Sequence, residues 1–189
     1  LYPGFRRKVY SAQMAHIDGA YFTDLCLINT GDMNREVTIR VVDDSGAAIG
    51  NPTARQLRPG ESIRADIAAL LGLARGIPKV GSIEVEANGP GIVGDVVFGE
   101  PGQFRYVGAL ALQEEPYKKA VFSQVANGFG FFTGLAIYNP ETRDNQVTIR
   151  IFTKDGTLVG ESIKNLAPKQ RLSQLLNQLV PASDGQVTG

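Results

Sequence analysis

The sequence predicts a mainly β protein made of two tandem antiparallel β-sandwich modules, each carrying one short helix. Three observations predict it. The stretch FTDLCLINTGDMNREVTIRVVDDSGAAIG, Phe22 to Gly50, returns without a gap as FTGLAIYNPETRDNQVTIRIFTKDGTLVG, Phe132 to Gly160, at an offset of 110 residues. Within each copy apolar residues alternate at period two, the spacing of a strand with one buried face. The alternating runs are separated by clusters of Asn, Asp, Gly and Pro, the residues that build turns.

The repeat divides the 189 residues into module one, residues 9–116, and module two, residues 117–189. Units of this size can bury a core of their own. Phe5-Arg6-Arg7-Lys8-Val9-Tyr10-Ser11 matches Tyr117-Lys118-Lys119-Ala120-Val121-Phe122-Ser123. Residues 1–8 are therefore expected to be a linker or the tail of a preceding module.

Val9 to Met14 is expected to be the first strand, followed by a loop through His16-Ile17-Asp18-Gly19. The second copy shortens that loop to Asn127-Gly128-Phe129-Gly130. Phe22 to Asn29 is the next strand. Leu25 and Leu27 align with Leu135 and Ile137, so this parity faces the core, while Asp24, Cys26 and Ile28 vary in the copy. Phe22 and Phe132, identical between copies, are expected in the core as well. Arg35 to Val42 and Asn145 to Phe152 are β-branched strands whose Val37, Ile39 and Val41 match Val147, Ile149 and Ile151. Asp43-Asp44-Ser45-Gly46 and Thr153-Lys154-Asp155-Gly156 close hairpins, with glycine supplying positive φ.

Past Leu57-Arg58-Pro59-Gly60 and Leu166-Ala167-Pro168-Lys169 the period changes. Ile63, Ile67, Leu70 and Leu71 align with Leu172, Leu176, Leu179 and Val180, the spacing of one face of a helix of about two to three turns. Asp66 and Ser173 are the expected N-caps. Module one continues through strands at Gly81 to Ala87, Ile92 to Phe98 and Arg105 to Leu112. Module two reaches Gly189 where its copy of Ser82-Ile83-Glu84-Val85 would begin. Continuation of the polypeptide is the expected reason, and completion of module two by another chain is the alternative.

Composition narrows the functions. Nineteen Lys and Arg balance nineteen Asp and Glu, so no global field draws the protein to nucleic acid or an anionic membrane. Arg6-Arg7-Lys8 and Lys118-Lys119 are too short to track a phosphate backbone. The single cysteine forbids an intrachain disulfide and a multi-cysteine metal site. No apolar run approaches the roughly 20 residues that span a bilayer, so membrane insertion is not expected. LYPGFRRKVY lacks the apolar core of a signal peptide; the chain is either cytosolic or preceded by a targeting segment.

The residues that could do chemistry read as scaffold. His16 is the sole histidine; Asp18 lies near it, but no nucleophile is marked, so a loop histidine is expected rather than a catalytic one. Cys26 becomes Ala136 in the copy and reads as a small filler of a strand. Asp43-Asp44-Ser45-Gly46 offers oxygen ligands, yet the copy places Lys154 where Asp44 stands, and the full calcium loop is absent. Asn88-Gly89-Pro90-Gly91 and Asn127-Gly128-Phe129-Gly130 lack the Gly-Lys-Ser/Thr ending of a phosphate loop. No catalytic residue, cofactor or metal is expected. Tyr21 and Phe131, expected to point outward, and Phe129, expected on a loop, remain as aromatics that could contact protein or glycan or else pack against the neighbouring module or the helix.

Asn29-x-Gly31-Asp32, Val37-Thr38-Ile39-Arg40, Asp43-x-x-Gly46 and Leu57-x-Pro59-Gly60-Glu61 resemble the adhesion-related Ig/fibronectin-like repeats of bacterial surface and secreted proteins. Copy two departs from them at Pro140-Glu141 and Lys169-Gln170, and the helix is an addition to that pattern. The resemblance implies Ig-like sandwiches, an extracellular or cell-surface location and a role in adhesion or domain spacing. It carries over no catalytic residue. The expected function is a non-catalytic binding or spacer module of a larger protein with a protein or glycan ligand. Two alternatives are a carbohydrate-binding unit of a secreted enzyme, which needs coplanar exposed aromatics, and assembly by strand exchange, in which module two self-associates. A hydrolase would need His16, a carboxylate and a nucleophile in one cleft.

Overall fold

A computed structural model describes residues 7–74, 76–102, 106–128 and 130–185. The fold is mainly β, with two pairs of antiparallel sheets and few helical residues. The chain divides into two compact units, Leu1–Pro116 and Tyr117–Gly189.

The first unit holds β1 (Arg7–His16), β2 (Phe22–Asn29), β3 (Arg35–Val42), β4 (Ala48–Leu57), β5 (Ser62–Asp66), α1 (Ile67–Leu71), β6 (Lys79–Ala87), β7 (Ile92–Gly99) and β8 (Val107–Ala111). They form two four-stranded sheets, ordered β1-β6-β3-β4 and β5-β2-β7-β8. The turn at Asn88–Gly91 does not pair β6 with β7. It carries the chain across the sandwich, so β6 lies inside one sheet and β7 inside the other. The core interleaves Val37, Ile39, Val41, Ile83 and Val85 of one sheet with Leu25, Leu27 and Val96 of the other, and Ile67 and Leu71 of α1 join it.

Arg7 and Lys8 belong to β1 rather than to a linker, held by Glu114 at 2.8 Å and Glu86 at 3.9 Å. β1 also runs past Met14 to His16. Its register against β6 shifts between Ser11 and Met14, where Ser11 Oγ accepts from the Gln13 amide at 3.1 Å. This bulge changes the parity, so Val9, Ser11 and Met14 all point inward.

The second unit holds β9 (Gly134–Tyr138), β10 (Asn145–Phe152), β11 (Leu158–Leu166), β12 (Arg171–Leu175), α2 (Leu176–Leu179) and a 3₁₀ turn at Pro181–Ser183. They form two two-stranded sheets, β10-β11 and β12-β9. These repeat the pairs β3-β4 and β5-β2 of the first unit. Counterparts of β1, β6, β7 and β8 do not occur among the described residues.

That difference overturns two expectations. The segment aligned with β1 is not a strand: Val121 is 80% exposed where Val9 is 3%. In the first unit β6 supplies the ladder that holds β1, and no strand pairs with residues 120–126 among the described residues. Phe132 is 72% exposed rather than in the core. Its counterpart Phe22 opens β2 opposite Gly99 of β7 and is half-buried, whereas β9 begins only at Gly134.

The helices are also shorter than their apolar spacing predicts. Ile63 and Leu172 lie on β5 and β12, which point the same way as the single turn that follows. Asp66 caps α1, its Oδ1 accepting from the Ala69 amide at 2.8 Å. Ser173 does not cap α2, because it sits within β12. Leu175 occupies the cap position, and its amide donates to Gln178 Oε1 at 3.1 Å.

Candidate functional site

Two polar pairs that recur in both units, Asn29 with Asn139 and Thr23 with Thr133, are consumed by the scaffold. Asn29 is fully buried at the end of β2. Its Nδ2 donates to the Met33 carbonyl at 2.8 Å and to the Leu57 carbonyl at 3.0 Å, while Oδ1 accepts from the Gly31 amide at 3.0 Å. Asn139 does the same with Arg143 at 2.9 Å, Leu166 at 3.1 Å and the Glu141 amide at 3.2 Å. One side chain thus closes a turn and ties it to the neighbouring sheet. Thr23 Oγ1 clasps both the amide and the carbonyl of Ala15, and Thr133 clasps Ala126 likewise.

The Asp43 carboxylate closes its own hairpin. Oδ1 accepts from the Ser45 hydroxyl at 2.6 Å, the Ser45 amide at 2.8 Å and the Ala47 amide at 3.0 Å. The Ser45 hydroxyl, then the backbone amides, hold its pKa below the ordinary carboxylate value. Thr153 fills the same place in the second unit, where Oγ1 accepts from the Thr157 amide at 3.1 Å.

His16 stands on β1 rather than on a loop. Its Nε2 is 3.2 Å from Asp18 Oδ1, and its Nδ1 is buried 3.7 Å from Asp66 Oδ2 without a hydrogen bond. Both carboxylates have structural duties as well: Asp66 caps α1, and Asp18 Oδ2 accepts from the Gly76 amide at 2.5 Å. Where His16 approaches the start of α1, Asn127 donates to the Ser183 carbonyl at 3.0 Å. The position therefore lies near the helical end of each unit, hydrogen-bonded to it only by Asn127 among the described contacts. No hydroxyl or thiol is hydrogen-bonded to His16 among the described contacts.

Cys26 is half-buried on β2. Burial first, then the Asp95 carboxylate, push its thiol pKa up, which keeps it protonated and poorly nucleophilic. Hollows on the outer face of β3 are lined by Glu36, Ala54, Arg55 and Gln56, and by Glu36, Thr38, Glu86, Ala87 and Asn88. Groups of three or more His, Cys, Asp or Glu side chains that could hold a metal do not occur among the described residues.

Tyr21 and Phe131 are both exposed, at 39% and 63%. Phe129 lies outside the described residues. Tyr21 has a neighbour the sequence did not mark, Tyr106, whose ring centre is 5.9 Å away at an interplanar angle of 42°. That tilt is not the coplanar platform on which a sugar ring stacks. Phe131 exchanges backbone hydrogen bonds with Gly128, closing the turn that carries it.

The largest departure from a closed protein surface is in the second unit. In the first, β6 covers the free side of β3 and β7 the free side of β2. The same sides of β10 and β9 carry no strand among the described residues. Leu135, Ile137 and Val147 are only half-buried where Leu25, Leu27 and Val37 are at most 1% exposed. These half-buried side chains leave the apolar interior of the second unit less covered than that of the first among the described residues.

Fold and site together define a mainly β protein of paired antiparallel sheets whose surface features are edges and aromatics. No family model and no curated protein matches the chain. A solved structure, the crystal structure of Thermotoga maritima 1070, is similar at 19% identity and a TM-score of 0.49, over 61% of this chain and 97% of that one. No helix among the described residues is long and apolar enough to cross a membrane.

Proposed function

We propose that the chain is a non-catalytic binding or spacer segment of a larger surface or secreted protein, acting through its surfaces rather than through a reactive centre. The observation that carries this reading is the fate of the repeated polar side chains. Asn29 and Asn139, Thr23 and Thr133 are spent on backbone hydrogen bonds, while Tyr21, Tyr106 and Phe131 stay exposed. Aromatics of this kind supply contact area at small entropic cost. The tilt of the Tyr21–Tyr106 pair favours a protein ligand over a glycan.

A second reading, assembly by strand addition, draws on the sides of β9 and β10 that carry no strand among the described residues. Exposed edges template pairing with further strands.

The surface location is tested by adding a membrane-impermeant biotin reagent to intact cells that make the full-length protein. Labelling of Lys118 and Lys119 before lysis is expected. Labelling only after lysis would remove the extracellular assignment and leave a binding role inside the cell.

A further inference from the structure

We infer that the turn joining β6 to β7 is a self-modification site, at which Asn88 loses its side-chain amide and is converted, by way of a cyclic imide with Gly89, to aspartate and isoaspartate. The reaction needs no partner but water.

The sequence holds two Asn-Gly dipeptides, Asn88-Gly89 and Asn127-Gly128. A glycine nitrogen has no side chain beside it to hinder attack on the preceding carboxamide. At Asn88 the Gly89 amide gives its proton to hydroxide and its nitrogen bonds to Asn88 Cγ. The Cγ–Nδ2 bond breaks, and ammonia leaves with a proton taken from water. Water then opens the imide at one of its two carbonyls. One opening gives aspartate, the other isoaspartate, whose main chain runs through the former side chain. One water enters and one ammonia departs.

The turn provides for the electrophile, the leaving group and the nucleophile. Asn88 Oδ1 accepts from the Glu36 amide at 3.1 Å, which polarises the carboxamide and stabilises the charge that develops on that oxygen. Asn88 is exposed, and its Nδ2 donates to no protein acceptor among the described contacts. The Gly89 amide makes no hydrogen bond among the described contacts, and it lies under a cation. Arg35 is only 9% exposed. Its Nε donates to the Pro90 carbonyl at 2.7 Å and its Nη1 to the Asn34 carbonyl at 3.4 Å, and no carboxylate pairs with it among the described contacts. A Cβ on Gly89 would come within 3.0 Å of Arg35 Cζ. The buried guanidinium, without a counter-ion, therefore favours the deprotonated amide that attacks.

Asn127 is the contrast within the same chain. It is 3% exposed, and its Nδ2 donates to the Ser183 carbonyl at 3.0 Å. The Gly128 amide donates to the Phe131 carbonyl at 3.0 Å. Leaving group and nucleophile are both bound, so reaction there waits for local opening. At Asn88 either product places a carboxylate next to Gly89, where Arg35 has only carbonyl partners. Isoaspartate also lengthens the main chain where it crosses from one sheet to the other.

The test incubates the 189-residue protein at mildly alkaline pH, folded in buffer and unfolded in urea. Conversion of Asn88 and Asn127 is followed by mass spectrometry of digested samples, and each dipeptide's unfolded rate is its own reference. Folded Asn88 is expected to convert at least as fast as unfolded Asn88. Folded Asn127 is expected to lag its reference about tenfold or more, since two hydrogen bonds must open first. Arg35→Gln should slow folded Asn88 about fivefold or more, the effect of one unit charge a few ångströms away. Arg35→Lys, which keeps a cation, should retain most of the rate. Folded Asn88 slower than its reference would overturn the site, because the turn would then protect the residue. Folded Asn127 keeping pace with folded Asn88 would overturn the selection between them. An unchanged or raised rate in Arg35→Gln would overturn the part given to the guanidinium. The folded and unfolded parent protein decide the site by themselves, so the result holds even where Arg35→Gln fails to fold.

Discussion

Asn29 shows how one uncharged side chain can fix the geometry of a module. Its amide donates to two carbonyls and its oxygen receives an amide, all at 0% exposure. A carboxylate could not replace it, because Met33 and Leu57 present acceptors only. Alanine would strand the Leu57 carbonyl in the interior. A buried polar group without a partner costs about 1–3 kcal/mol, so Asn29→Ala is expected to lower stability by about 2–4 kcal/mol once the lost turn contact is included. Urea denaturation measures it, and a change below about 0.5 kcal/mol, the size of an ordinary surface substitution, would refute the role. The sequence marked this residue through its recurrence at Asn139, but as a turn former only. Its reach to the neighbouring sheet depends on Leu57, 28 positions away, and no local pattern encodes that. His16 was misplaced for a similar reason. The Ser11 bulge lengthens the path of β1 and keeps the strand running where the composition reads as loop.

At the scale of elements, the repeated glycines at 50 and 160 report how helix and sheet meet. Gly50 lies on β4 with φ +68°, and a Cβ there would come 2.7 Å from Leu73 Cδ2 and 3.2 Å from the Leu71 carbonyl. At Gly160 on β11 the obstacle is the Val180 side chain at 2.8 Å, and φ is not left-handed. Both glycines let the segment around the short helix lie close against the strand. Gly50 alone adds a backbone conformation that side chains resist. Gly50→Ala should therefore destabilise the first unit by about 1–3 kcal/mol, combining overpacking with strain, and Gly160→Ala should cost the second unit less. Thermal denaturation of the two variants orders them, and a larger cost at Gly160 would show that packing against the helical end dominates. The strands and hairpins were legible because period-two alternation and turn glycines are local. The helices were overread because Ile63 and Leu172, inward residues of β5 and β12, stand at helical spacing from Ile67 and Leu176. A strand running directly into a one-turn helix keeps its apolar residues on the same side, and spacing alone cannot separate the two.

Across the whole molecule, equal sequences meet unequal surroundings. Val9 and Val121, Leu25 and Leu135, Val37 and Val147 are matched in the repeat and differ in burial. Burial of a strand residue is decided by the strands beside and across from it, which lie far away in sequence, so the repeat could match these residues but not the burial of each side chain. The energetic consequence is asymmetry. The first unit closes a core from two four-stranded sheets and a helix, with Met14, Leu25, Ile39, Ile67 and Ile83 at 0% exposure. The second has two strand pairs among its described residues, and the buried apolar residues of its core cluster are Ile149, Ile151, Leu176, Leu179 and Val180. Isolated strand pairs are marginal in water and gain stability mainly from what packs on them. Hydrogen exchange followed through a urea series is therefore expected to show two transitions. Amides of β9 to β12 should open at a urea concentration where those of β3, β6 and β7 are still protected. A single coincident transition over both sets of strands would mean that the units unfold together, and that the second draws stability from contacts beyond its own strand pairs.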